Sequence, residues 1–307
     1  MSPATKKRTR RAGFVGSVTD PLARFGRRVL RIAFGGALAA VVGGVLCAGA
    51  FFTWKYGSPR LRERPAYRVA LEDIEITPPP PWVGPNLRGE VRRLAGLPES
   101  LLLLDGRVLE EVTQAFSLHP WVAEVVRATK ANPSTLRLEL RYRQPVAMIE
   151  VVDGLYPVDK EGVLLPSSSF SAAEARLYPR VQGVRSRPAG SAGIPWGDPL
   201  VVGAARIAVA LESHWAQLRL DAIAVAKWNV GDRADQELYY LLSKGGTRVV
   251  WGRPPGTDHP GEISTDEKIT RLSRYISEHG SLEAPDGPYE FDVRHWQEIS
   301  LRPRTRT

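Results

Sequence analysis

The sequence predicts an α+β protein with a single N-terminal transmembrane helix, a small β-α-α-β-β module, and a curved mixed β-sheet domain carrying two helices. Three observations predict it: an uncharged apolar run from Ile32 to Trp54, two helical patterns framed by strand patterns between Tyr67 and Arg143, and a series of short strand patterns that ends at Leu301. The apolar run has 23 residues and no proline. At about 1.5 Å per residue it is long enough to cross a hydrocarbon core of about 30 Å as a helix, the spanning form open to a single segment. Phe51, Phe52 and Trp54 stand where an interfacial aromatic belt belongs. A buried soluble helix would carry a polar stripe, and the core of a secretory signal is shorter, although Ala48-Gly49-Ala50 resembles a cleavage site. Gly36, Ala40, Gly44 and Ala48 recur every fourth residue, a spacing that permits close helix packing in lipid but is also ordinary for a span.

Charge sets the expected topology. Nine of the 42 basic residues and one of the 33 acidic residues lie within the first 31, which leaves 33 and 32 beyond them. A basic tail (1–31) before the span (32–54) predicts a cytoplasmic N-terminus, with the bulk of the chain extracytoplasmic on the inner membrane. The remainder is close to neutral, so the net charge of +9 reflects topology and does not point to nucleic acid. Cys47 is the one cysteine and lies in the apolar run, so the domains beyond it hold no disulfide.

After a polar linker (55–65), the first module is expected over 66–144. Tyr67 to Thr77 alternates apolar and polar residues as a strand with one irregularity, ended by Pro78 to Pro81. Leu87, Val91 and Leu94 fall at helical spacing before Gly96. A second helix, capped by Asp105, aligns Val108, Leu109, Val112 and Phe116 and stops at His119-Pro120. Trp121 to Lys130 and Thr135 to Arg143 read as strands around a turn at Ala131 to Ser134.

Pro145 opens the second unit, expected over 145–301 with a short tail (302–307). Val146–Val152, Leu155–Val158 and Gly162–Leu165 are short strands between Asp-Gly and Asp-Lys-Glu-Gly turns. Residues 166–197 read as loop, with a further strand at Tyr178–Val181. Asp198-Pro199 opens a helix bearing Leu200, Ala204, Ile207, Leu211, Trp215 and Leu218. Strands follow at Ala222–Trp228, Leu238–Leu242 and Thr247–Trp251. Ser264 and Glu267 form a capping box for a helix with Ile269, Leu272 and Ile276, and Tyr289–Val293 and Ile299–Leu301 are the last strands.

This order, with FSLHPWVAEVVRATKANPSTLRLELRYRQPVAMIE (116–150), GLYPVDKEGVLLP (154–166), GTRVVWG (246–252), EKITRLSRYI (267–276) and YEFDVRHW (289–296), resembles the FtsQ/DivIB family of bacterial cell-division proteins. The resemblance covers roughly 67–301. The four prolines at 78–81 and the long loop at 183–196 depart from it. It implies a POTRA domain followed by an FtsQ-type β domain, in a non-enzymatic, membrane-anchored scaffold of the division machinery. The implied partners are FtsB/FtsL (DivIC)-type division proteins and other divisome membrane proteins, with no cofactor, nucleic acid or small-molecule substrate. It also implies that the C-terminal edge accepts a partner strand, an exchange driven by unpaired backbone groups and side-chain pockets. The matching residues are Arg294 and His295 as polar anchors, Trp296 as aromatic anchor, and Ile299 and Leu301 as the strand face. An equal alternative has Ile299 and Leu301 finishing the core and Trp296 packed at its rim.

Catalytic patterns are not found. The five histidines, His119, His214, His259, His279 and His295, lack metal-ligand spacing, and no GxSxG, P-loop or GxGxxG occurs. Asp153, Asp159 and Glu161 fall at turns, where acids are ordinary. The alternative function is a POTRA-bearing envelope-assembly or secretion scaffold not dedicated to division. Against its outer-membrane form, the chain lacks a series of roughly ten-residue barrel strands.

Overall fold

The structure, a computed structural model, describes residues 40–55, 67–132, 135–228, 236–257, 261–296 and 299–304. The chain divides into two units, Met1–Arg64 and Pro65–Thr307.

In the first unit, residues 40–55 form helix α1, exposed throughout. This corrects the expected membrane span: among the described residues, no helix is long and apolar enough to cross a membrane. The described part of the expected span is this 16-residue helix, about 24 Å at 1.5 Å each, against a core of about 30 Å. Residues 32–39 of the apolar run lie outside the described residues. Of the small-residue series, Gly36 lies outside the described residues. Ala40, Gly44 and Ala48 are exposed, and a Cβ on Gly44 would meet nothing within 4 Å. The basic tail and most of the linker also lie outside the described residues.

The second unit is mixed α/β, built on two hydrophobic cores. In the first, β1 (Arg68–Ala70) and β2 (Glu75–Ile76) replace the single strand expected from Tyr67 to Thr77. Val69, Leu71 and Ile74 are all buried, and the step of three between the last two breaks strand alternation. A 3₁₀ turn at Leu71–Asp73 accommodates that step and sends the two strands into different sheets. β1 pairs with β3 (Ser100–Leu102), a strand without β-branched residues and not expected. β2, β5 (Thr135–Tyr142) and β4 (Val122–Asn132) form a three-stranded sheet in the order β2-β5-β4. The expected β-α-α-β-β order therefore becomes β-β-α-β-α-β-β. Helices α2 (Leu87–Ala95) and α3 (Val108–Ser117) supply Val91, Val112 and Phe116 to this core, facing Leu136 and Leu138 of β5. Gly96 ends α2 in the left-handed conformation, φ 66°. Asp105 does not cap α3; its carboxylate accepts from the Arg107 N–H at 2.9 Å, before the helix begins.

The second core lies under an eight-stranded sheet of order β13-β12-β11-β10-β9-β8-β6-β7. The strands are β6 (Ala147–Val151), β7 (Gly154–Val158), β8 (Arg180–Gln182), β9 (Leu220–Trp228), β10 (Gln236–Ser243), β11 (Arg248–Gly252), β12 (Tyr289–Asp292) and β13 (Ser300–Pro303). The expected strand at Gly162–Leu165 is reduced to two bridges, Val158 to Leu164 and Val163 to Pro195. Within the expected loop, α4 (Ala172–Ala175) carries a capping box from Ser171 and Glu174, and the buried Trp196 donates from Nε1 to Ser186 Oγ at 3.0 Å. Helix α5 (Pro199–Leu211) is capped by Asp198, whose carboxylate accepts from the Leu200 N–H at 2.9 Å; Trp215 and Leu218 lie beyond its end. It crosses between parallel β8 and β9, and α6 (Thr265–His279) crosses between parallel β11 and β12. These crossovers make the class mixed α/β, where α+β was expected.

The cores are linked at Asp159, which is 1% exposed. Its carboxylate accepts from the N–H groups of Glu161 and Val163 at 3.0 and 2.9 Å and from Arg143 Nη1 at 2.7 Å. Trp82 adds a bond from Nε1 to the Arg143 carbonyl at 3.0 Å, so the four-proline segment is held against the same corner.

Two stability predictions follow from this packing. Burial lowers the His119 pKa below 6.5, outweighing Glu90, whose carboxylate lies 3.2 Å from Nε2. A histidine depressed in the folded state contributes stability above its unfolded pKa, lost as pH falls through the folded value. Thermal melts should therefore show Tm falling as pH drops below about 6.5, with a shallower slope in His119→Gln. Gly203 faces the Tyr239 hydroxyl so closely that a Cβ would collide with it, and that hydroxyl donates to the Leu200 carbonyl at 3.1 Å. Gly203→Ala should cost about 1–3 kcal/mol in urea unfolding, although alanine at a helix position by itself adds about 1 kcal/mol of stability.

Candidate partner-binding edge

Helix α6 positions this edge. Ser264 and Glu267 close its capping box, with the Ser264 N–H donating to the Glu267 carboxylate at 2.9 Å. Ile269, Leu272 and Tyr275 bury its inner face, and Tyr275 meets Phe291 of β12 edge-on, 4.9 Å between centroids. The chain then turns and returns as β13, antiparallel to β12, with Leu301 opposite Phe291 and Pro303 opposite Tyr289.

The register fixes which backbone groups face outward. The Arg304 N–H donates to the Pro288 carbonyl at 2.8 Å, so that opposed pair is hydrogen-bonded. Alternation gives the same status to Arg302 with Glu290 and to Ser300 with Asp292. Leu301 therefore turns both its N–H and its C=O away from β12, while Pro303 offers only a carbonyl. Among the described residues no strand lies on that side, and all four residues of β13 are exposed. At the opposite end of the sheet, β7 is bridged by Val158 to Leu164, and the Leu165 N–H donates to the Pro157 carbonyl at 2.8 Å.

The structure brings the five sequence-identified residues to this edge in different states. The Arg294 guanidinium grips Asp292 with Nε at 2.9 Å and Nη2 at 2.7 Å, so it is a partnered side chain. Burial alone would raise the Asp292 carboxyl, but the Arg294 hydrogen bonds and charge hold it below the usual carboxylate range. His295 is exposed, 4.0 Å from the same carboxylate. Trp296 is 73% exposed and Leu301 42%. Ile299 is partly buried against the core.

Three further residues, not identified from sequence, support the edge. Arg271 of α6 donates from Nη1 to the His295 carbonyl at 2.6 Å and from Nη2 to the Trp296 carbonyl at 2.8 Å. Four residues after Glu267, it reads in sequence as part of a solvated helix face. Lys268 is 2% exposed, pairs with Glu262 at 2.5 Å and lies 5.0 Å from the Trp251 ring. Burial lowers its pKa, and the Glu262 hydrogen bond and charge oppose that. The Glu262 carboxylate also accepts from the Arg253 N–H at 2.9 Å, tying the end of β11 to α6. Nothing in the sequence spacing distinguishes this lysine from an exposed one.

The other histidines lie apart. His119 contacts Glu90, His214 lies 2.9 Å from Ser213 Oγ, His279 stacks on Tyr275, and His259 is outside the described residues. Among the described residues, no group of three His, Cys, Asp or Glu side chains could hold a metal ion. No protein-family model matches the chain, and no curated protein matches it.

Arg271→Ala removes two hydrogen bonds from a charged donor, each worth about 1.5–3 kcal/mol. Amide exchange across 293–301 should accelerate by about tenfold or more, with exchange in β9 unchanged.

Proposed function

We propose that this chain is a non-enzymatic scaffold of the bacterial cell-division machinery that binds small FtsB/FtsL (DivIC)-type proteins by strand addition along β13. The observation that carries the reading is the free flank of β13: among the described residues no strand lies beyond it, and it turns the Leu301 N–H and C=O away from β12 beside an exposed Trp296. An added strand would satisfy those backbone groups and cover Leu301, and Trp296 would supply the large apolar anchor that concentrates binding energy at interfaces. Motif order from Phe116 to Trp296 supports the division reading over a general envelope-assembly scaffold. The reading places the two-core unit on the outer side of the cytoplasmic membrane, beside its partners, and does not rest on helix α1.

Titration of the full chain with the extracytoplasmic segment of an FtsB- or DivIC-type protein tests it. Leu301→Pro deletes the outward N–H while leaving the ladder to β12 intact, and should weaken binding about five- to tenfold with Tm little changed. Trp296→Ala should cost about 2 kcal/mol of binding or more. Binding that is unmoved by both substitutions would remove β13 as the site. Absence of binding by the unaltered chain would remove the division reading.

A further inference from the structure

Four consecutive prolines, Pro78–Pro81, connect β2 to α2 and have no part in the proposed strand addition. The run is tied down at both ends. At its start the Thr77 N–H donates to the Leu138 carbonyl at 3.1 Å. The Thr77 hydroxyl oxygen accepts from the Leu140 N–H at 2.9 Å, and its carbonyl accepts from the Tyr142 hydroxyl at 2.6 Å. At its end Trp82 donates to the Arg143 carbonyl, and the Val83 N–H closes a turn onto the Pro80 carbonyl, both at 3.0 Å.

Sterics fix the conformation between these anchors. Proline sets its own φ at about −65°, and a following proline excludes the α region, so Thr77 to Pro80 are confined to extended backbone. The peptide bonds that join them are trans. Such a run is a polyproline II helix, with three residues per turn. Exposure follows that period: Thr77 and Pro80 are half-buried, Pro78 and Pro81 are exposed, and exposed Pro79 precedes half-buried Trp82 by one turn. Pro78 and Pro81 therefore form one outward ridge, about 9 Å apart along the helix, with Pro79 beside it. The carbonyls of Pro78, Pro79 and Pro81 accept no hydrogen bond among the described residues.

The anchors at Thr77 and Trp82 hold the connection whatever residues lie between, so packing does not call for three exposed proline rings. We infer that Pro78–Pro81 is a ligand for a partner domain whose groove is lined by exposed tryptophan and tyrosine side chains. Such a groove takes the two outward rings of a Pro-x-x-Pro segment between aromatic faces, and its indole N–H and phenol O–H groups donate to the free carbonyls. The segment arrives already extended and fixed at both ends, so binding costs little conformational entropy. The inference is independent of the division role and of the β13 edge.

The test adds the full chain to isotope-labelled SH3-type and WW-type domains, which read this helix through aromatic grooves, and follows the domains' amide resonances. Expected are shifts confined to the groove, with affinity lowered about tenfold or more by Pro78→Ala combined with Pro81→Ala. Each single substitution should weaken binding several-fold, and Pro79→Ala should cost less than either. Pro85→Ala, at an exposed proline outside the run, should leave binding unchanged. Leu301→Pro should also bind as the unaltered chain does, which separates the ridge from the β13 edge. Near-UV circular dichroism identical to the unaltered chain checks that the exposed substitutions leave the fold intact. Three results would overturn the inference: no groove shifts with either domain, shifts undiminished in the double variant, or an equal loss from Pro85→Ala. A lowered Tm in the double variant with neither domain bound would also overturn it and assign the prolines to restricting the unfolded chain.

Discussion

Parallel strands cannot be joined by a tight turn, and three parallel pairs determine how the larger sheet is assembled: β6 with β8, β8 with β9, and β11 with β12. Each demands a long connection. The second and third are helices, α5 and α6, and both deliver buried residues to one core. The α6 crossover has a further consequence. It returns the chain beside β11, so the β12–β13 hairpin becomes the sheet's free end. Arg271 on that helix then holds the turn that presents Trp296. The buried Lys268–Glu262 pair ties the helix to the loop after β11, and its satisfied geometry matters because breaking such a pair leaves an uncompensated charge inside. The candidate edge is thus a product of sheet topology as much as of its own residues.

Periodicity made most elements legible. The alternation in TLRLELRY put Leu136, Leu138 and Leu140 inside and Arg137, Glu139 and Arg141 outside, as the burial of β5 has it. Side-chain caps chosen by chemistry were readable where a whole motif was present, at Asp198-Pro199 and at Ser264 with Glu267. Asp105 was misassigned because an Asx turn and an N-cap place the same residue type one or two positions apart, and only backbone geometry separates them. The split of Tyr67–Thr77 escaped for a related reason: the irregularity was visible, but its effect on sheet membership depends on partners distant in sequence. For the expected span, the described part is the 16-residue α1, shorter than a crossing requires, and the rest of the apolar run lies outside the described residues.

At the candidate edge, residue types were legible and their states were not. Arg294 looked like an available anchor, yet a bidentate bond to Asp292 two residues earlier occupies it. The resemblance drew attention to the strand, but which backbone groups point outward follows from its register on β12 together with the Arg304 to Pro288 bond, and neither is visible in the sequence. Arg271 and Lys268 sit three positions apart on one helix, one strapping an exposed turn and the other 2% exposed, and charge alone gives no way to tell them apart.

The proposed β13 edge would read backbone, because unpaired N–H and C=O groups pair with any extended strand, and discrimination there would fall to Trp296 and Leu301. At the other end of the sheet, β7 is engaged by the 163–165 segment only at Pro157 and Val158. Seven strand spacings, about 34 Å at roughly 4.8 Å each, lie between β13 and β7. A strand added along β13 would therefore share no contact residue with that far edge, so the recognition proposed at one end of the sheet leaves the other sterically free.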